Sequence, residues 1–133
     1  MHTNNSAQRL LTELDFIRVS KLNRGQLPDD LVEDLNSADL VNSHAVSADV
    51  VTMNSRVEIV VDDAATRQPF TLCYPLDADA ALGFISVLSP VGAALLGLRV
   101  GDTARWQMPD GQARTAKVAA ILFQPEAAGD YTT

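Results

Sequence analysis

Asp29 and Asp30 follow the turn-forming stretch Gly25-Gln-Leu-Pro28, and paired carboxylates at such a place are the groups of this chain best suited to hold Mg²⁺. Such a site would be incomplete and would need a second protein to finish it. The same two acids also need no ligand, because acidic residues in the first turn of a helix are favoured by its dipole. No metal or other cofactor is therefore assigned. Cys73 stands alone and His2 and His44 lie far from it, which leaves no intrachain disulfide and no zinc-ligand spacing. The thiol sits in the apolar run 70–74 with no cation beside it, so it reads as buried and structural. Ser89 has no His nearby in sequence and reads as a helix cap, not a nucleophile. Gly92, Gly97 and Gly101 match neither the dinucleotide fingerprint nor a P-loop. Trp106 reads as a core residue. No catalytic residue is assigned, and the chain is expected not to be an enzyme.

Positioning these groups requires two kinds of element. Residues 89–102 are the most legible stretch: Ser89 can cap a helix, Pro90 suits its first turn, and Val91, Ala94 and Leu95 recur at helical spacing. Gly97 is placed to end that helix in a left-handed conformation, and Gly101-Asp102 turns the chain into the next strand. Upstream, residues 6–23 read as an amphipathic helix with the stripe Ala7, Leu10, Leu11, Leu14 and Ile17. A second helix carries Leu31, Val32, Leu35 and Ala38, and the two form a helical hairpin whose tip holds Gln26, Asp29 and Asp30. Arg9, Arg18, Lys21 and Arg24 on the first helix are expected to face the acids of the second. After a linker at 42–48 the pattern changes to strands, in 50–61, 69–74, 84–88, 104–108 and 114–122. Asp110-Gly111 signals a hairpin with a two-residue turn. The expected fold class is α+β, with segment 1–47 as helical hairpin and linker, 48–123 as an antiparallel sheet with one short helix, and 124–133 as a tail.

Composition limits the function. At 133 residues with 47% apolar content the chain can bury one core. It has no run of about 18 apolar residues, so no membrane helix is expected, and without secretory or lipidation signals a cytoplasmic location is. The net charge is −7, and no Lys or Arg lies between Arg24 and Arg56 while Asp29, Asp30, Glu33, Asp34, Asp39 and Asp49 do. Nucleic acid is thus not expected as the main partner, and a basic protein is. Aromatic content of 5% speaks against a gripping cleft for peptide or sugar.

Ser89-Pro90, the small-residue helix after it and Val100-Gly-Asp102 resemble the signature of the C-terminal domain of Gre transcript-cleavage factors. Residues 49–57, 93–102 and 124–131 narrow the resemblance to the regulator of nucleoside diphosphate kinase family, over almost the whole chain. The resemblance implies an FKBP-like, Gre C-terminal-type fold and a bacterial RNA polymerase partner, met at the β′ coiled coil by the secondary channel. Carried over, Ser89 and Pro90, with Val91 beside them, fall on the polymerase-binding segment. At the hairpin tip Gly25-Gln-Leu-Pro-Asp29 replaces the Gre pattern Gly-Asp-Leu-x-Glu, so one acid has become Gln26 and the other is shorter. The expected function is a transcription regulator that competes with Gre factors and alters kinase levels indirectly. Transcript cleavage through the tip acids and a prolyl-isomerase activity suggested by the fold are the alternatives.

Overall fold

A computed structural model describes residues 9–22, 29–61, 67–108 and 110–129. Its centre is a five-stranded sheet ordered β5-β4-β3-β7-β6, in which β3 is Arg56–Val61, β4 Arg67–Cys73, β5 Phe84–Ser86, β6 Thr103–Gln107 and β7 Ala113–Phe123. Alternation builds its two faces. Val57 and Ile59 of β3, Phe70 and Leu72 of β4, and Ala116 and Val118 of β7 turn into the core, while Arg56, Arg67 and Lys117 point outward and are exposed. The eleven-residue β7 spans both β3 and β6, and two register shifts against β3 bend it. The sheet is not wholly antiparallel as the sequence suggests: β5 runs parallel to β4, with Thr71 beside Phe84. Two single turns of 3-10 helix between them, Pro75–Asp77 and Ala80–Leu82, reverse the chain before β5 begins.

Helix α3, Pro90–Leu95, lies against the inner face, and its expected caps are in place. Ser89 Oγ accepts the Gly92 N–H at 3.1 Å and donates to the Ser86 carbonyl at 2.6 Å. Gly92 is required by contact, because a Cβ there would strike the Ser86 carbonyl oxygen. Gly97 ends the segment at φ 84°. Met108 N–H donates to the Gln112 carbonyl and Gly111 N–H to that of Met108, with Gly111 at φ 88°. The β6–β7 connection is therefore longer than the two-residue turn expected from Asp110-Gly111.

The N-terminal arm departs most from expectation. Residues 10–12 are not helical but form strand β1, Leu10–Thr12, which pairs in parallel with β2, Asp39–Val41. Helix α1 is Glu13–Ser20 and α2 is Asp29–Ser37, so the first helix has eight residues, far fewer than the stretch 6–23 implies. The cause is a tertiary pairing that local periodicity does not encode. Thr12 caps α1 by accepting the Asp15 N–H at 3.0 Å. The buried stripe also differs: Asp15 and Val19 face inward, with Phe16 and Leu22 packed beside them, whereas Ile17 is 49% exposed. Arg9 precedes α1, and its guanidinium donates to the Leu96 and Ala93 carbonyls at 2.8 and 3.3 Å. A cation there satisfies the open carbonyl end of α3. Leu11, Val19, Leu31 and Leu35 join the same apolar cluster as Val57, Leu72 and Leu95.

Candidate functional site

The end of α3 opposite Arg9 opens on an apolar recess, a cavity of about 340 Å³. Pro90 is exposed at its lip because the Ser89 cap turns the chain outward just before it, and half-buried Val91 follows on the wall. Ile59, Phe70 and Ile85 supply the floor from three strands, because each sits at an inward position of its strand. Trp106 and Met108 close the far side. The expectation that Trp106 is a plain core residue needs amending: it packs on the core with one part and lines the open cavity with another. Gln68 and Arg114 are the polar members of the wall, and Arg114 stands directly across from Trp106 in the β6–β7 register.

An open apolar recess with few polar groups suits capture of an apolar side chain presented by another protein, since burial of such groups supplies most of the free energy at interface centres. Ser89 contributes differently from Pro90 and Val91. Its hydroxyl is engaged within the corner on both sides, so its task is to hold Pro90 outward.

Gln26 lies outside the described residues, and Asp29 and Asp30 are the first two residues of α2. Among the described residues no group of three or more His, Cys, Asp or Glu side chains could hold a metal. Cys73 is buried, and burial first and Asp77 second push its thiol pKa up.

One polar cluster was not recognised in the sequence. Asp15 is 2% exposed, and its Oδ2 accepts the Met53 N–H at 3.0 Å. Burial pushes its carboxyl up to about 6; Glu126 adds to the rise, while the Met53 N–H and Arg18 oppose it. Tyr74 lies close by, raised to about 12 by burial and then by the Asp15 charge. Thr52 Oγ1 donates to Glu126 at 2.7 Å, and Gln124 Nε2 donates to the Ser47 and Val50 carbonyls at 2.7 and 2.8 Å. The segment after β7 is therefore docked, not simply solvated, as far as Glu126. The signal available was Thr12-x-x-Asp15, a capping-box spacing just before an apolar run.

Comparison with known proteins places this geometry. The family model "Transcription elongation factor, GreA/GreB, C-term" matches residues 46–123. The regulator of nucleoside diphosphate kinase of Escherichia coli is 44% identical over 106 residues, covering 79% of this chain and 77% of that protein. The chain belongs to the regulator of nucleoside diphosphate kinase family, built on a Gre C-terminal domain. Transcription elongation factor GreA of Nitratidesulfovibrio vulgaris is 40% identical over 85 residues, and there the chain spans about half of the longer protein, 52%. A solved GreA/GreB-type elongation factor from Nitrosomonas europaea has a TM-score of 0.70 at 33% identity, covering 89% of this chain and all of that one. The relatives are thus named as regulators and elongation factors, and the α+β fold is the Gre C-terminal fold.

Proposed function

We propose that the protein is a non-enzymatic, cytoplasmic transcription regulator that docks on RNA polymerase beside the secondary channel and there competes with Gre-type factors. The carrying observation is the position of Pro90 and Val91 on the lip of an open apolar cavity, in the segment that the family resemblance assigns to docking. The cavity supplies affinity, and the acidic residues of α2 favour approach to a basic surface. Effects on nucleoside diphosphate kinase would follow from altered transcription. Transcript cleavage is not retained in this reading. Helix α1 has eight residues, a rod of about 12 Å, and Gln26 stands in place of a tip acid. The prolyl-isomerase alternative rests on fold alone, and fold does not transmit activity.

The test is a pull-down of core polymerase by the purified protein, with and without a Gre competitor, combined with cleavage assays on arrested complexes. Capture of polymerase, its loss to the competitor and inhibition of Gre-stimulated cleavage are expected. Cleavage stimulated by the protein itself and abolished by Asp29→Ala would instead establish the cofactor reading.

A further inference from the structure

The outer face of the sheet is free of the helices and strongly one-signed, although the chain as a whole carries −7. The register places Arg56, Glu58 and Val60 of β3 on this face with Arg67 and Thr71 of β4, Thr115 and Lys117 of β7, and Thr103 and Arg105 of β6. Its cations are Arg56, Arg67, Arg105 and Lys117, all exposed, and Glu58 is the one carboxylate that the five strands contribute. That carboxylate is already met by Arg67 at 3.5 Å. Nothing in the order of the residues announces this, because the four cations are spread from 56 to 117 and only pairing gathers them.

Geometry decides which anion fits. Arg67 and Lys117 both flank Val60, which sets their backbones about 10 Å apart, and Arg105 lies one strand further and diagonal to Lys117 at about 7–8 Å. The positive charge therefore extends in two dimensions over about 14 Å, comparable to the width of a major groove and wider than a single-strand track. Strand-binding proteins add aromatic platforms for the bases. The exposed aromatic side chains of this face, Phe84 of β5 and Phe123 of β7, lie in the row of Thr71 and Arg56, at the other end of β3 from the row of Arg67, Val60 and Lys117. A protein partner would want an apolar centre, and around Lys117 and Arg105 the face sets Thr103 and Thr115 instead. Threonine hydroxyls among arginines and a lysine suit phosphate oxygens.

We propose that the outer sheet face is a secondary, sequence-independent contact for the phosphate backbones of duplex DNA, separate from the Pro90 cavity on the inner face. The net negative charge of the molecule keeps the contact weak in isolation, so that it acts as an electrostatic guide.

The test is fluorescence anisotropy of a labelled duplex with the full chain over a salt series. Binding is expected at low salt, with a slope of log K against log salt between about −2 and −4, as two to four phosphate contacts require. The double variant Arg105→Glu/Lys117→Glu should keep the wild-type melting curve, lose at least tenfold in affinity and flatten the slope by about 2. The charge-matched control Lys21→Glu/Arg99→Glu, off the sheet face, should retain most of the binding. No binding at low salt, or equal loss in both double variants, would overturn the proposal. Preferential binding of a poly-glutamate peptide over the duplex would also overturn it, in favour of an acidic protein partner.

Discussion

Asp15 shows how one residue makes the stability of this fold depend on pH. Its carboxyl is raised to about 6 from an ordinary value near 3.8, principally by burial. The folded state thus holds a proton that the unfolded chain has released between these values. The contribution of Asp15 to stability is therefore most favourable below about pH 4, falls as pH rises to about 6, and is level above that. The whole excursion is worth about 3 kcal/mol. Asp15→Asn keeps an acceptor for the Met53 N–H and removes the buried charge, so we expect it to stabilise the protein at neutral pH. Denaturant titrations from pH 4 to 8 should show a flatter profile than the parent, and an unchanged profile would mean that another group carries the dependence. At Gly92 the determinant is space. A methyl group would collide with the Ser86 carbonyl, which cannot retreat without breaking the Ser89 corner, so Gly92→Ala should cost about 2–4 kcal/mol in thermal melts.

At the scale of elements, the parts that could be read from sequence are those whose rules are local. Helix α3 was legible because Ser89, Pro90 and Gly97 each carry a positional preference that holds without neighbours. The β-branched runs of β3 and β7 were legible for a related reason, since alternation reports a buried face. The arm was not, because residues 10–12 are extended only through pairing with residues 39–41, and Asp15 is inward only because Met53 offers an N–H. The cavity was legible at Pro90 and Val91 alone. Its other walls come from β3 to β7, and periodicity says which face a residue takes but not which residues meet. These long-range contacts bear on dissection of the chain. Leu11, Val19, Leu31 and Leu35 share the apolar cluster of the sheet, and Arg9 closes the end of α3. A fragment starting at residue 48 should therefore melt well below the full chain in circular dichroism, and an equal melting temperature would show that the arm adds nothing to the fold.

For the whole molecule the account rests on a division of surfaces. The inner face offers an apolar recess beside an exposed proline, the outer face is basic, and the acids outside the sheet give the chain its negative charge. The central claim is that the recess is what holds the protein to RNA polymerase. Pro90→Glu tests it most directly, because glutamate is favourable in a first helical turn and leaves the Ser89 cap untouched, yet places a charge on the lip of the recess. The decisive measurement is the equilibrium affinity of this variant for core polymerase beside that of the parent, with melting curves to confirm that both are folded. The account predicts at least a tenfold loss of affinity at unchanged melting temperature, and a folded Pro90→Glu protein that binds polymerase as tightly as the parent would contradict it.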